Sequence, residues 1–572
     1  MKSSPKSRGV LSGALDQAFN LYLGTTPERC SYTIQPQRIP MSDGITLAAD
    51  LYHPTLTTTN ANANANDDKP LATILIQGCY GRSIAMTSLF ARPFAARKYT
   101  VLFVSTRGTF GSGGKFEPGR HEGKDGQDVV RWTREQAWYT GSFATSGPSY
   151  FGYTQWALLD EPPSDCFASA ILAGPHDYAW HHWGTGSLRL DRISWADTVT
   201  NQEKSGGAIL GGLAKKVLWQ DDMRLVLKGV PLMESVRKHV GDKAPWLLKS
   251  MEAVDSNDPH WDELKHSEAL ERVNHPILLV GGWYDPFAAQ TMHQYAILRK
   301  RGCPVALTVG PWTHVQASGL ACLGEWIDFL DEQAGFKTAS PRGTMAKIYV
   351  TGEEKWHEIP SWPPESLPYA LYLKGGNALS AEKPSDTDAS SSFIYNPTDP
   401  TPSIGGPKLT GGGRFDDTAY ASRSDLLTFT SAALEDEIQF MGKPIIHLLH
   451  TSDAPSFDLW IRLSEVDKSG TSHNICEAYH GALTTNHRDN NNDNDNGAEG
   501  LPLALELTDC AHRFKQGTKI RVIVAGSCFP MYARSLGTGE DRLTGREMRK
   551  VRHTISFAGG QSKLVLPRTR VV

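Results

Sequence analysis

The stretch "SFATSGPSYFGYTQWALL", residues 142–159, has the pattern of a buried strand that passes through a tight turn into a helix. Ser149 lies at the turn, with Gly147 two residues before it and Gly152 three residues after it. A serine in such a turn is either the N-cap of the helix or a nucleophile raised at the carboxyl edge of a parallel sheet. Phe151 stands where the usual Gly-x-Ser-x-Gly pattern has its second glycine. The stretch alone therefore leaves both interpretations open.

Strand and helix patterns alternate on both sides of this turn. A hairpin is indicated at 32–54, where apolar and polar residues alternate around an Asp-Gly turn. Short apolar runs, typical of buried parallel strands, cover 71–81, 100–108, 168–174, 275–285 and 304–314. Segments with helical spacing lie between these runs. This alternation predicts the α/β class, with a parallel sheet and helices on both of its faces.

The alternation stops in two places, which predicts further units around the α/β domain. We expect a lead-in at 1–31 and the α/β domain at 32–175 and 265–345. Residues 176–264 are rich in tryptophan and charge and have helical spacing, which indicates an inserted helical cap. Residues 346–572 contain short alternating runs separated by Gly, Pro and Asp, which favours a β-sandwich with a polar insertion at 487–500.

The composition limits the partners that the chain can have. A length of 572 residues predicts two or three domains rather than one core. With 58 basic and 62 acidic residues the net charge is −4, so no basic field favours nucleic acid. No apolar run reaches 18 residues, so we expect no membrane span. A small molecule is the expected partner, and a homo-oligomer is left open.

Cysteine usage bears on the compartment. The eight cysteines are scattered without CxxC spacing, and the single Asn-x-Ser/Thr triplet, at Asn396, is blocked by a proline. The basic N-terminus has no continuous apolar core and does not resemble a secretion signal. These features predict free thiols in a reducing, cytoplasmic environment.

Two side chains after the cap complete the groups that an activated serine needs. Asp285 ends the stretch 275–285, directly behind its apolar residues, and His314 ends the stretch 304–314 in the same way. The order Ser, Asp, His is the chain order of nucleophile, acid and base on an α/β sheet, and the carboxyl ends of parallel strands gather at one edge. Taken singly, Asp285 could cap a helix and His314 could be a loop histidine. Together they favour a proton relay to Ser149.

Acyl chemistry at Ser149 also needs donors for the oxyanion. The backbone N–H of Tyr150, the residue after the serine, is one candidate. The loop "GCYGR", residues 78–82, follows an early strand and offers the hydroxyl of Tyr80. The alternative for Tyr80 is a ring packed beside a glycine turn.

Two other patterns are given less weight. The glycine-rich run 107–116 lacks the Gly-Lys-Ser/Thr ending of a phosphate loop. His176, His181 and His182 cluster at the start of the cap, but without the spacing of a helical HExxH pair, so pocket lining is favoured over metal binding. We expect no cofactor and no metal.

The motifs together resemble those of the CocE/NonD hydrolases, the group of cocaine esterase, α-amino-acid ester hydrolases and X-prolyl dipeptidyl peptidases. The resemblance extends over roughly residues 32 to 570. It is carried by stretches that include "IPMSDGITLAADLYHP", "TRGTFGSGGKF", "EGKDGQDVVRWTREQAW", "SGPSYFGYTQW", "GGWYDPF", "GPWTH", "YVTGEEKWHEIPSWPP" and "DLWIRLSEVDKSG".

The resemblance implies an α/β-hydrolase fold with a helical cap and a C-terminal jelly-roll sandwich. It also implies the following roles: nucleophile Ser149, acid Asp285, base His314, and an oxyanion hole of Tyr80 and the Tyr150 N–H. Three departures from the family pattern stand out, namely Pro148 before the serine, Ser105 in place of an Asp, and "YHG" at 479–481 without an Arg.

The sequence therefore predicts a serine hydrolase that cleaves small-molecule esters or amides through an acyl-enzyme intermediate. An acyltransferase on the same triad stays open as an alternative. An X-prolyl peptidase is a weaker variant, because no carboxylate pair for a substrate amino terminus is recognisable. A scaffold with an inactive site is the alternative from another class of protein.

Overall fold

The computed structural model of the chain describes residues 5–22, 24–56, 69–203, 223–319, 321–336, 342–385, 390–483 and 501–570. Its strands form two sheets. The first sheet contains β1 (Lys6–Ser7), β2 (Ser31–Pro40), β3 (Thr46–Thr55), β4 (Thr73–Gly78), β5 (Thr100–Ser105), β6 (Phe143–Pro148), β7 (Cys166–Leu172), β8 (Ile277–Tyr284), β9 (Val305–Thr313), β10 (Ala346–Val350) and β11 (Lys355–Ile359).

The first sheet is the predicted parallel sheet with antiparallel edges. Its strand order is β1-β2-β3-β5-β4-β6-β7-β8-β9-β10-β11, and the strands from β5 to β10 in that order are parallel. The chain crosses from β4 to β5 on one side and then returns to β6 on the other. This reversal opens a crevice at the carboxyl ends of β4 and β6, where α/β sheets bind ligands.

Helices cover both faces of the central strands, which are buried along their whole length. Every residue of β4, β5, β6 and β8 is buried, as expected for strands that are covered on both sides. The α-helices lie at Val10–Tyr22, Ile84–Phe90, Arg92–Ala95, Glu122–Arg134, Tyr150–Leu159, Tyr178–Trp183, Asp191–Asn201, Leu232–Val240, Pro245–Glu252, Ser267–Arg272, Ala288–Lys300, His314–Ala317 and Leu323–Gln333. None of the described helices combines the length and apolar character that a membrane span requires.

The predicted cap segment is helical in the residues that the structure describes. Between β7 and β8 the chain forms α-helices and the 3₁₀ helices Gly241–Lys243 and Pro259–Leu264, with no strand among the described residues of that interval. Residues 204–222 of the segment lie outside the described part. The cap also contacts the C-terminal region, where Leu190 N–H donates to Met531 C=O at 3.0 Å.

The second sheet contains thirteen strands in the described residues and is largely antiparallel. They are β12 (Leu367–Lys374), β13 (Ala378–Ser380), β14 (Ser390–Tyr395), β15 (Leu426–Ser431), β16 (Ile438–Gly442), β17 (Ile445–Ser452), β18 (Ser456–Val466), β19 (Ser472–Leu483), β20 (Leu501–Glu506), β21 (Cys510–Phe514), β22 (Lys519–Ala525), β23 (Val551–Ser556) and β24 (Lys563–Thr569). The insertion predicted at 487–500 lies outside the described residues, and the jelly-roll arrangement stays a prediction.

The change from the first sheet to the second lies later than the boundary expected at residue 345. Strand β10 pairs with β9 in parallel, and β11 pairs with β10 as a hairpin, so both extend the first sheet. Strand β10 alternates buried and half-buried residues. This period-2 pattern is the one expected of sandwich strands too, so it does not reveal which sheet a strand joins.

Candidate active site

Ser149 lies in a strained turn at the carboxyl end of β6. Its φ is 55° and its ψ is −121°, a conformation that costs a non-glycine residue about 1–3 kcal/mol. The turn is held from both sides: Ser149 N–H donates to Leu172 C=O at 2.8 Å, and its own carbonyl accepts from Gly152 and Tyr153 N–H at 2.9 Å. Its side chain makes no cap hydrogen bond to the helix. The strain therefore serves to present the hydroxyl, and the N-cap alternative is not what the geometry favours.

Phe151 fits into this turn because glycines surround it. A Cβ on Gly147 would lie 2.5 Å from Phe151 Cβ, and a Cβ on Gly78 would clash with the Phe151 ring. The helix Tyr150–Leu159 packs against the end of β7 through Gly152, where a Cβ would lie 2.7 Å from Gly174 Cα. The close approach that the missing second glycine would normally permit is thus provided by Gly152, one residue later.

His314 connects Ser149 to Asp285 by hydrogen bonds on its two ring nitrogens. Nε2 lies 2.9 Å from Ser149 Oγ, and Nδ1 lies 3.0 Å from Asp285 Oδ1. An ionised carboxylate only accepts, so Nδ1 carries the proton and Nε2 is left to accept the serine O–H. Asp285 and His314 are 1% and 7% exposed, whereas Ser149 is half-buried and reachable. The arrangement can draw a proton from Ser149 and hold it on the imidazole.

The ends of β8 and β9 bring Asp285 and His314 together. The ladder shifts register between Gly282 and Tyr284, and Gly282 has no room for a side chain against the Trp312 carbonyl. Thr313 then caps the short helix that His314 begins, with its N–H donating to Gln316 Oε1 at 2.9 Å. The close approach of the strands and this cap set the direction of the imidazole.

Tyr80 lies beside Ser149 at the end of β4, with its hydroxyl held by the cap. Trp195 Nε1 donates to Tyr80 Oη at 3.2 Å. Burial raises the pKa of Tyr80, and the hydrogen bonds with Trp195 and Ser149 act in the opposite direction. The hydroxyl is therefore protonated at neutral pH and able to donate toward the space next to Ser149 Oγ.

Tyr150 follows the serine, and its side chain points away from the predicted oxyanion hole into a buried network. Its hydroxyl donates to Glu122 Oε1 and accepts from Gly119 N–H at 3.1 Å. Burial raises the pKa of Glu122 to about 7, although the Tyr150 hydrogen bond lowers it. The ring of Tyr150 stacks on Trp195 with centroids 5.8 Å apart. The Tyr150 side chain is therefore used in packing at the start of the helix, and only its backbone N–H is left for the oxyanion role that the sequence predicts.

The structure gives the surroundings of two departures from the family pattern. Pro148 is the last residue of β6, opposite Leu172 in the parallel ladder. Ser105 Oγ accepts from Arg82, whose Nε lies 3.2 Å from Asp50, so the carboxylate that pairs with this arginine comes from β3. Neither departure displaces the hydrogen bonds of His314.

The histidines at the start of the cap have separate partners. His176 Nδ1 accepts from Gln294 at 3.1 Å, and His181 Nε2 lies 3.2 Å from Asp191. His182 Nδ1 donates to Tyr178 C=O at 2.7 Å. The three rings therefore hold cap residues together, and His182 also lines a narrow cleft of the cap.

Three residues with positions of functional interest were not identified as site residues from the sequence. Trp195 and Arg192 lie on the cap helix Asp191–Asn201, and Glu122 begins the helix after β5. For Glu122 a signal existed, since a carboxylate among the buried positions of an amphipathic helix needs a partner. For Trp195 the sequence offers no comparable signal, because its partner Tyr80 comes from a distant segment. Arg192 stacks on Tyr178 and Trp195 of its own region, but no motif marks it.

Comparison with family models covers most of the chain. A model described as X-Pro dipeptidyl-peptidase (S15 family) matches residues 43–316. A second, described as X-Pro dipeptidyl-peptidase C-terminal non-catalytic domain, matches residues 335–566. The proposed Ser149, Asp285 and His314 all lie within the first match.

Individual relatives agree with these models. Cocaine esterase from Rhodococcus sp. (strain MB1 Bresler) is 25% identical over 544 residues, which cover 88% of this chain and 92% of that protein. An aminopeptidase from the marine sediment archaeon Thaumarchaeota archaeon has a TM-score of 0.76 at 19% identity, covering 94% of this chain and 96% of that one. An α-amino acid ester hydrolase has a TM-score of 0.75 at 20% identity, covering 94% and 97%. The structural likenesses establish the fold, with its α/β-hydrolase core and β-rich C-terminal part.

Proposed function

We propose that the chain, a serine hydrolase that matches the models of the X-Pro dipeptidyl-peptidase (S15 family) and of its C-terminal non-catalytic domain, cleaves small-molecule esters or amides through an acyl-enzyme on Ser149. The observation that carries this proposal is the continuous hydrogen-bonded chain from Asp285 through His314 to Ser149, at 3.0 and 2.9 Å. Those distances are within the reach needed for proton transfer between base and nucleophile.

In the acylation step His314 Nε2 removes the proton of Ser149 as Oγ attacks the acyl carbonyl carbon. The Nδ1–H bond to Asp285 holds the imidazole and stabilises the imidazolium that forms. The C=O electron pair moves onto oxygen, and that oxyanion accepts from the Tyr80 hydroxyl and the Tyr150 N–H. When the oxyanion collapses, the leaving alcohol or amine takes the proton from His314.

Deacylation repeats the sequence with water as the nucleophile. His314 accepts a proton from water, the hydroxide adds to the acyl carbon, and Ser149 leaves with the proton returned by His314. The acid product is released and the free serine is regenerated, so atoms and charge balance over the cycle. A bound alcohol or amine in place of water would make the same enzyme an acyltransferase.

A fluorophosphonate probe tests the central assignment. We expect stoichiometric labelling of Ser149, located by peptide mass spectrometry, together with a burst of nitrophenol from 4-nitrophenyl acetate equal to the enzyme concentration. Ser149→Ala should abolish both signals, while Ser164→Ala, at an exposed serine between the helix Tyr150–Leu159 and β7, should leave both intact. Labelling at another serine would contradict the proposal.

Product analysis with an added acceptor separates hydrolysis from transfer. With a 4-nitrophenyl ester in buffer containing methanol or an amine, a hydrolase gives the free acid as the main product. A transferase gives the new ester or amide as the main product, and the free acid formed with water is the minor product. If the transfer product is dominant, the proposed reaction is acyl transfer rather than hydrolysis, on the same Ser149.

We further propose a cytoplasmic, reducing location and a small-molecule acyl substrate as the partner, without nucleic acid or membrane contacts. The support is that all eight cysteines are free and seven of them are buried, and that the net charge is −4. Titration of the denatured protein, purified without reductant, with a thiol reagent should give eight thiols. A count of six thiols or fewer would indicate a disulfide and would contradict the proposed reducing location.

A further inference from the structure

Arg192 is a buried cation held between two aromatic rings of the cap. Its guanidinium carbon lies 4.4 Å from the ring centroid of Tyr178 and 4.3 Å from that of Trp195. The residue is 5% exposed. Stacking of this kind fixes the plane of the guanidinium and directs its N–H groups out of the stack.

The donors of Arg192 are largely unused within the described part of the chain. Its Nε donates to His182 Nε2 at 3.3 Å, which is the acceptor because His182 Nδ1–H is directed to Tyr178 C=O. No carboxylate of a described residue lies within 4.0 Å of the Arg192 nitrogens. Arg189, on the same segment and similarly buried, has Asp191 at 3.1 Å. Asp191 is within electrostatic range of Arg192, but its ion pairs are with Arg189 and His181, so the terminal N–H groups of Arg192 remain available to an anionic ligand.

Arg192 lines a narrow cleft whose other polar groups suit an anion. Arg120 contributes a second cation, although Glu263 lies 2.7 Å from it. His260 Nδ1 accepts from Arg120 at 2.9 Å, which leaves Nε2–H to donate to Ser250 Oγ at 3.0 Å. None of the lining residues is a carboxylate. The free space between the lining residues is about the size of one water molecule, which admits one carboxylate oxygen and excludes a ring.

The cleft is connected to the proposed oxyanion hole through Trp195. The indole that stacks on Arg192 is the one that donates to Tyr80 Oη. The charge of Arg192 also acts on Tyr80 directly, because it lowers the pKa of that phenol. A ligand on Arg192 would thus be linked to Tyr80 through one side chain, that of Trp195.

We propose that Arg192 binds a carboxylate group in this cleft, through its terminal N–H donors. The carboxylate has two chemical sources. In the first case it belongs to the substrate, which is then an ester or amide that carries a second, free acid group. In the second case it belongs to a small free carboxylate that neutralises the charge of Arg192. The first source rests on the proposed function, whereas the second does not. A substrate ammonium, as an X-prolyl peptidase would require, is repelled by the same arginine.

Paired substrates test the first source. We would compare 4-nitrophenyl esters of linear monocarboxylic acids with the mono-4-nitrophenyl esters of dicarboxylic acids of the same length, from four to eight carbons. At least one dicarboxylic half-ester should have a kcat/KM about 10- to 100-fold above that of its neutral partner, which is the effect of one hydrogen-bonded charge pair. Arg192→Met should remove this preference, and Arg192→Lys should retain part of it, since a lysine keeps the charge without the fork.

A matched control replaces another arginine of the cap. Arg237 is more than half exposed and pairs with Glu252, so Arg237→Met should leave the ratio of the two kcat/KM values unchanged. Comparing ratios, rather than single rates, removes differences in folded fraction. If the Met variant does not fold, the Lys variant and the wild-type preference still test the proposal.

Thermal unfolding with acetate tests the second source. At constant ionic strength, acetate should raise the Tm of the wild-type protein in a saturable way, and the increase should be lost in Arg192→Met but kept in Arg237→Met. A preference for half-esters, or this acetate effect, supports the proposal and identifies the source. If neither appears in the wild-type protein, Arg192 does not bind a carboxylate. Failure of Ser149 labelling would instead reject the proposed function, and the acetate result would be unaffected.

Discussion

The indole nitrogen of Trp195, on the cap, donates a hydrogen bond to the phenol oxygen of Tyr80, at the end of β4, over 3.2 Å. An indole N–H can only donate, so the Tyr80 oxygen is the acceptor in this pair. The phenol proton is consequently free for a second partner, and Ser149 is in reach of it. A residue of the cap thus determines which way the proposed oxyanion donor points.

Replacing the Tyr80 hydroxyl should slow turnover without unfolding the protein. Tyr80→Phe removes one oxyanion donor and retains the ring that packs against Phe151, so kcat on a 4-nitrophenyl ester should fall by about 10²–10³ with little change in KM. Steady-state kinetics and a Tm measurement check this. Full activity in Tyr80→Phe would mean that Tyr80 is a packed ring and that the hole is built from other groups.

Trp195 should act through Tyr80 rather than on the substrate carbonyl. Trp195→Phe loses one neutral hydrogen bond, so kcat should fall by about 3- to 10-fold. In the double variant with Tyr80→Phe, the Trp195 change should add almost nothing, because its target oxygen is gone. Trp356→Phe, at a part-exposed tryptophan on β11, serves as the control. Additive effects of the two substitutions would show that Trp195 has an independent role.

The glycine displaced from the usual position should be essential for packing. Gly152→Ala places a Cβ 2.7 Å from Gly174 Cα, so we expect a loss of about 1–3 kcal/mol of unfolding free energy. Gly324→Ala is the matched change in the helix Leu323–Gln333, where no atom lies within 4 Å, and it should gain about 0.5–1 kcal/mol. Urea unfolding measures both. Equal stability of the two variants would contradict the close contact.

Buried histidines of the C-terminal sheet should make the protein sensitive to acid. Burial lowers the pKa of His450 to about 4, and it lowers that of His553, which lies 3.1 Å away, further. In the unfolded chain both titrate near 6.5, so stability is complete above about pH 6.5 and decreases as the pH falls from there toward 4. Each histidine should contribute a loss of about 1.4 kcal/mol per pH unit in that interval.

The double variant His450→Asn/His553→Phe checks this assignment. Its unfolding free energy should depend less on pH between 6.5 and 5 than that of the wild-type protein. Between pH 8 and 9 both imidazoles of the wild-type protein are neutral in the folded and in the unfolded state, and the variant has neither of them, so the pH dependences of the two proteins should coincide there. An unchanged acid slope in the variant would place the sensitivity elsewhere.

The sequence by itself determined the order of the chemical groups and the class of the fold. Apolar runs that end before Ser149, Asp285 and His314 are local patterns, and the parallel sheet follows from their alternation with helices. Because parallel strands end at one edge, the meeting of these three residues could be expected without coordinates. The position of Tyr80 after an early strand belongs to the same kind of local information.

Tertiary structure alone decided which neighbours these groups have. Trp195 donates to Tyr80 from a segment far away in the chain, and Gly78 leaves space for Phe151 in the same way. Which arginine of the cap pairs with Asp191 was also decided only by the folded structure. The placement of β10 and β11 in the first sheet is of the same kind. The physical reason is that a residue's pattern of polarity records how deeply it is buried, whereas the identity of what covers it is fixed only when distant surfaces pack together.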